Sequence, residues 1–481
     1  MIQITRLLAK TIRSIVKRTL PRQAAQIVLT FRTGDAGLFV EVQGTNQALQ
    51  FHDPRPQDSE LLFVPLSVLD DVQGSKAEPV FLNCRRAGVL GASWQEKGVF
   101  QDLEYDAPEP ASDAQSFPAL PTQFVENSAE LLLALRDAYE TTDVESKRYA
   151  LASIQIRGSD GIIAATDGRQ LLKQSGFTFG FAEELLLEHT KFFASKELPH
   201  DQPVLVGKTD ERVVFQIGPW TYWLSVLTEG RFPDIDRSIP STHYSTATLK
   251  LASADAKFMV DNLHRLPNGE THRELTVDLN GKVILRAASP STPRPAEMFL
   301  RNSSKQGDDV RICTDRKFLA RAAAMGFSDI HFPDTASPAI ASDASRTFVW
   351  MLLDPKEALK SSEDSLRIES PFSTRNDAPS VARRRESPLK QISSTVDLPP
   401  PQSATAEHSQ PATKQRAARL SPASATKQTP SATDCAISIR SQLRTTLAAV
   451  NELIRTIKTE KRSRKSLKRA MESIKQLQDV A

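Results

Sequence analysis

Four basic side chains near the start of the chain, Arg6, Lys10, Arg13 and Lys17, recur at i, i+4, i+7 and i+11 with no acidic residue among them. On a helix this spacing gathers them along one side, while Ile4, Leu8, Ile12, Ile15 and Val16 form an apolar side. Cations so arranged suit phosphate oxygens, giving contact that is independent of base sequence and sensitive to salt. The same pattern also fits an ordinary solvated helix face, and the residues alone leave both readings open. Asp167, Asp234 and Asp236 are the carboxylates a metal-dependent nuclease would recruit, but the first two sit in turn-like stretches where backbone capping is the simpler role. His189 and His200 are eleven apart, and His264 and His272 eight apart, in no HExxH or Cys/His ligand spacing. Neither phosphate-cradle motif, GxxxxGK[ST] or GxGxxG, occurs. No catalytic site, metal or cofactor is expected.

The elements that position these residues repeat. Thr5, Ser128 and Ser253 each precede an amphipathic segment as a plausible N-cap, 123 and 125 residues apart. A second, shorter helical segment is predicted near Pro65, Thr190 and Asp315, at separations of 125 and 125. Strand-like stretches fill the gaps, and turns such as Gly158-Ser159-Asp160-Gly161 and Asn280-Gly281 favour antiparallel pairing. The reading is an α+β chain with three copies of one unit, helix, strands, helix, strands, at 1–120, 121–242 and 243–355.

The chain has 481 residues, 61 Lys+Arg and 58 Asp+Glu, too long for one ordinary core. Residues 356–481 hold 23 Lys+Arg against 13 Asp+Glu, net +10, which leaves 38 against 45, net −7, for residues 1–355. An acidic body thus carries a basic tail, a footprint suited to nucleic acid or acidic partners. Every glycine lies at or before Gly326, and 356–430 is rich in Pro, Ser, Thr, Ala and Gln, so a disordered linker is expected. Helical spacing returns in 431–481, interrupted by the basic run Lys461–Arg469. Cys84, Cys313 and Cys435 make no CxxC pair and suit a reducing cytoplasm. No apolar run reaches the roughly 20 residues that span a bilayer, and basic residues spread through Met1 to Leu20 do not read as a secretion signal.

Two segments carry a resemblance. Ala165-Thr166-Asp167-Gly168-Arg169-Gln170-Leu171 follows a predicted strand, and Glu229-Gly230-Arg231-Phe232-Pro233-Asp234-Ile235-Asp236-Arg237-Ser238-Ile239-Pro240 lies downstream. Together they resemble two signature stretches of the bacterial DNA polymerase III beta subunit, the sliding clamp. The resemblance spans about 1–355. It includes Arg148-Tyr149-Ala150-Leu151 and a closing stretch, Phe348-Val349-Trp350-Met351-Leu352-Leu353.

The resemblance implies three DNA-clamp domains, with helices lining a pore and antiparallel sheets outside. Two protomers would close head to tail into a non-catalytic, bacterial, nucleoid-associated ring around duplex DNA that tethers DNA polymerase. It puts Arg6, Lys10, Arg13 and Lys17 on a pore-lining helix and Lys147 and Arg148 beside a DNA-facing loop. It implies a cleft for short peptides of polymerase, clamp loader and repair proteins, at Leu151, Thr166, Gly168, Leu171, Pro233, Arg237, Val349, Trp350, Met351 and Leu353. The chain departs from the family at Arg169-Gln170, at the bulky Trp350 and at Met351-Leu352-Leu353-Asp354-Pro355, where the family usually ends. A divergent or secondary clamp, or an adaptor that binds proteins without encircling DNA, is the alternative.

Overall fold

The computed structural model describes residues 1–20, 27–107, 116–143, 150–268, 273–292 and 294–372. Lys147, Arg148, Cys435, the run Lys461–Arg469, the helices expected in 431–481 and the linker from 373 lie outside the described residues.

One order of elements occurs three times. The first unit is β1 (Ile2–Thr5), α1 (Arg6–Thr19), β2 (Val28–Thr33), β3 (Leu38–Gln43), β4 (Gln47–Asp53), β5 (Glu60–Pro65), α2 (Leu66–Val72), β6 (Pro79–Arg86), β7 (Val89–Glu96) and β8 (Val99–Asp106). The second is β9 (Val125–Asn127), α3 (Glu130–Thr141), β10 (Ser153–Arg157), β11 (Ile162–Thr166), β12 (Gln170–Gln174), β13 (Glu184–Glu188), a single 3-10 turn at Phe192–Ala194, β14 (Val204–Lys208), β15 (Arg212–Ile217) and β16 (Trp220–Ser225). The third is β17 (Ala247–Lys250), α4 (Ser253–Asn262), β18 (Glu274–Asp278), β19 (Ile284–Ala287), β20 (Ala296–Phe299), β21 (Ser304–Gly307), β22 (Arg311–Asp315), α5 (Arg316–Ala324), β23 (Asp329–Phe332), β24 (Ala339–Ser342) and β25 (Arg346–Trp350).

Helix starts follow local chemistry. Thr5 caps α1, its hydroxyl accepting from the Leu8 amide at 3.1 Å, and Asp315 caps α5 through the Lys317 amide at 2.9 Å. The other two caps shift by one residue in opposite directions, to Ala129 after Ser128 and to Ala252 before Ser253, and neither makes a side-chain bond. The helix expected near Thr190 is only the 3-10 turn: Phe192 and Phe193 pack on Tyr222 there, and aromatic burial takes the place of a second helical turn.

The sheets cross the borders between units. One runs β5-β2-β3-β4-β16-β15-β14-β9, and another β13-β10-β11-β12-β25-β24-β23-β17-β21. Each is continuous because β4 pairs antiparallel with β16 (Phe51 opposite Trp220) and β12 with β25 (Leu171 opposite Val349). A core shared by the first two units includes Ile12, Phe31, Leu135 and Phe215; another fills the third unit around Met259, Leu285, Leu319 and Phe348.

The ordered body does not stop at 355. Past β25 the chain continues over the third unit and adds β26 (Leu366–Glu369) to its sheet, in the order β22-β18-β19-β20-β26. Residues 356–372 therefore do not belong to the expected linker. Leu359, Ser361, Leu366 and Ser370 each find a hydrogen-bond partner on the unit beneath, which compensates the chain entropy that composition alone counts against this stretch.

Candidate nucleic-acid interface and peptide cleft

The basic stripe of α1 is not uniform. Arg6, the first helical residue, turns inward and is 7% exposed. Its guanidinium donates to the carbonyls of Val72 (3.1 Å), Gln73 (2.9 Å) and Gln95 (3.2 Å) and to Glu78 Oε2 (3.2 Å). Arg6 is therefore a strut between α1, the end of α2 and β7, and the expectation that it faces phosphates is corrected. Position 6 shares the buried side with Ala9, Ile12 and Val16, at helical spacing that the basic count overlooked. Arg316 repeats the device at the start of α5, buried, with its guanidinium on the carbonyls of Leu263 (3.1 Å) and Leu266 (2.8 Å).

Arg13 and Lys17 are half-exposed, and both meet Asp70 on α2, Lys17 Nζ at 2.7 Å. Burial pushes the Asp70 carboxyl up, but the hydrogen bonds from Lys17 and Arg13 outweigh it and hold the group below its ordinary value. Two cations are thus offset by one anion 53 residues from Lys17, invisible to a local reading. Lys10 is exposed and meets no carboxylate among the described residues. Sequence reasoning missed two further exposed lysines on helices, Lys257 on α4 and Lys317 on α5. Lys257 is the fifth residue of α4 as Lys10 is the fifth of α1, so the three-unit repeat itself was the available signal.

The second site forms where β11, β12 and β25 meet the loop 229–240. Asp167 holds the β11–β12 turn: its Oδ1 accepts from the amides of Arg169 and Gln170, both at 2.8 Å. Thr166 Oγ1 donates to the Gln170 carbonyl at 2.7 Å and accepts from the Gly168 amide at 3.1 Å. Gly168 has φ +84, a conformation a side chain resists, and a Cβ there would lie 3.7 Å from Leu151. Leu171 and Val349 pair across β12 and β25 and bury with Ala164, Ile340, Phe232 and Ile235. Pro233 sits half-buried between the last two. The loop is pinned by Asp236, which accepts from Lys173 (2.7 Å) and Arg157 (2.6 Å); these two bonds hold its carboxyl below the ordinary value. Asp234 pairs with Arg237 at 3.1 Å. Among the described residues no cluster of three His, Cys, Asp or Glu side chains forms a metal cage.

No family model and no curated protein matches this sequence. Solved structures do. Over 73% of its length the chain matches 99% of the DNA polymerase III beta subunit of Pseudomonas aeruginosa, with TM-score 0.56 and 16% identity. The same coverage holds for a putative beta subunit of Eubacterium rectale (0.59, 13%) and the beta subunit of Thermotoga maritima (0.58, 13%). The chain has the sliding-clamp fold. About a quarter of it lies beyond what those clamps contain.

Within that fold the remaining expected cleft residues divide. Val349 lies on the cleft side of β25, in the apolar floor, and Met351, the residue after the strand, is 48% exposed with its amide on the Arg169 carbonyl of the β11–β12 turn at 2.9 Å. Trp350 lies on the opposite side, fully buried in the third unit's core, its indole donating to Thr314 Oγ1 at 3.0 Å. The strand period of two makes this unavoidable, so Trp350 is corrected from cleft wall to core residue. Leu353 is half-buried, its amide on the Cys313 carbonyl at 2.9 Å. Arg237 is 88% exposed at the rim. Phe232, Ile235, Ala164 and Ile340 were missed; alternation along β11 and β24 was the usable signal for the last two.

Proposed function

We propose that the chain is the protomer of a DNA sliding clamp, a ring that encircles duplex DNA and tethers a polymerase and other replication or repair proteins without catalysis. The observation that carries this is a clamp fold built from one unit repeated three times and joined edge to edge, matching nearly the whole length of solved clamps. Three such units per chain suit a ring of two chains. Lys10, Lys257 and Lys317 on the helices supply weak, non-specific phosphate contact of the kind sliding requires. The apolar floor of Leu171 and Val349, with Met351 and Arg237 exposed beside it, suits short peptides carrying an apolar anchor. We assign the protein to the bacterial cytoplasm, at the nucleoid.

A second reading, a clamp-like adaptor that binds proteins without encircling DNA, is favoured by the weakness of the α1 stripe, where Arg6 is buried and Arg13 and Lys17 share an anion. The two readings separate on nicked circular against linearised DNA after loading, with light scattering for oligomeric state. A dimer retained on circles and lost from free ends supports the ring. Equal binding to both forms, abolished by modest salt, supports the adaptor.

A further inference from the structure

The joins between units obey one rule. In each unit the first helix is followed by a set of strands ordered β5-β2-β3-β4, β13-β10-β11-β12 or β22-β18-β19-β20. The inner end strand of that set then pairs antiparallel with the last strand of the following unit: β4 with β16, and β12 with β25, five residue pairs each. Two strands are left at the ends of the chain's own series. They are β8, the last strand of the first unit, and β20, the corresponding end strand of the third. The rule makes them partners, in two different copies.

Their states differ. β8 is eight residues long and pairs only with β7 among the described residues. It presents Val99 at 60%, Phe100 at 65% and Leu103 at 43% exposure, an apolar edge that soluble proteins rarely leave uncovered. β20 is already occupied. After β25 the chain crosses the sheet of the third unit, from the Cys313 carbonyl on β22 (Leu353 amide, 2.9 Å), past Thr276 on β18 (Leu359 amide to Oγ1, 2.8 Å), to Glu297 on β20 (Ser361 Oγ to Oε1, 3.4 Å). It then turns along the edge as β26, parallel to β20, with Met298 opposite Ile368. The Leu366 amide donates to the Pro295 carbonyl (2.8 Å) and the Ser370 amide to the Phe299 carbonyl (2.9 Å). Arg301 and Arg367 both pair with Glu369, and Arg367 lies over the Phe299 ring at 4.2 Å.

We propose that 356–372 is an intramolecular plug: β26 holds on β20 the place that β8 of a second copy takes when the ring closes, so head-to-tail closure requires the plug to leave. This rests on the ring reading above. The geometry suits a removable part. Four parallel residue pairs are a weaker ladder than the five antiparallel pairs of each internal join. The sheet face under the strap carries Asp278, Arg286 and Glu297 beside Thr276, with Arg286 paired to Asp278 and Glu297, so lifting the strap wets charged groups that already have partners and a threonine hydroxyl that water can serve. In exchange, Val99, Phe100 and Leu103 gain cover. An intramolecular plug has a high effective concentration, so closure is concentration-dependent and open to control by whatever binds the chain beyond 372.

The test uses the full chain and two full-length variants, in sedimentation velocity across a concentration series. Ile368→Pro removes the amide that alternation places between those of Leu366 and Ser370 on the β20 side. Glu369→Lys, on a half-exposed side chain, sets a cation against Arg301 and Arg367 without touching the core. Hydrogen exchange of the β20 amides reports release of the plug. Expected are faster exchange and dimerisation at least tenfold tighter in both variants, with Phe100→Asp on β8 cancelling the gain. If the parent and both variants dimerise equally tightly and Phe100→Asp breaks all three, the ring reading stands and the plug is refuted. If both variants stay monomeric with β20 exchanging freely, plug and ring fall together.

Discussion

Replacing Arg6 and replacing Lys10 separates a structural cation from the proposed nucleic-acid contact four residues away. Arg6→Ala leaves the carbonyls of Val72, Gln73 and Gln95 without their donor in a buried site and strips Glu78 of a partner. Each orphaned acceptor is worth about 1 kcal/mol or more, and the Glu78 ion pair adds little because that carboxylate is 36% exposed. A loss of about 3–4 kcal/mol in the first unit follows, seen as an earlier urea transition and faster amide exchange in α1 and α2. Lys10→Ala removes an exposed side chain and changes stability by under about 0.5 kcal/mol, yet it lowers the salt dependence of DNA binding by about one ion per protomer. DNA affinity of Arg6→Ala, measured where the variant is still folded, stays at the parent's value. An Arg6→Ala protein as stable as the parent but weaker on DNA would refute the assignment.

Three further outcomes are expected. Asp70→Asn frees Arg13 and Lys17 from their anion and tightens DNA binding several-fold at low salt, by filter binding, with a stability loss of about 1 kcal/mol or less; unchanged affinity removes both residues from the interface. Met351→Asp, at an exposed position beside the apolar floor, weakens binding of apolar-anchored peptides at least tenfold by fluorescence polarisation while the urea midpoint stays within error. His189 is depressed from 6.5 to about 4 by burial, with Lys191 adding to it. A depressed imidazole favours the neutral form in the folded state, so its contribution is present above pH 6.5 and is lost as pH falls toward 4. The linkage is about 1–2 kcal/mol by pH 5, and His189→Gln flattens that part of the stability profile.

What could be read in the sequence was whatever depends on local chemistry. Thr5 and Asp315 mark helix starts because a short polar side chain before an apolar run satisfies free amides. The segments 165–171 and 229–240 were legible because a turn needing Gly168 and a loop pinned through Asp236 use specific residues at fixed spacing. What could not be read depends on contacts made across long separations. Nothing near Arg13 announces Asp70, and nothing near Thr190 says that Phe192 stacks on Tyr222 rather than extending a helix. Trp350 was misplaced for a different reason: the motif marks positions on a strand, while only the strand's alternation says which face each side chain takes.

The stretch 356–372 shows how far composition can mislead. It holds no glycine and few apolar residues, and without a partner it has no core to join. Its order comes from an edge, because β20 offers unsatisfied amides and carbonyls to any strand in reach. That edge exists because the repeat ends there among the described residues. In the first two units the equivalent strands β4 and β12 are taken by the next unit, whereas no further unit follows the third among the described residues. A polar segment held by such an edge gains its hydrogen bonds only while the edge is otherwise vacant, so its order and the joining of two chains at β20 exclude each other.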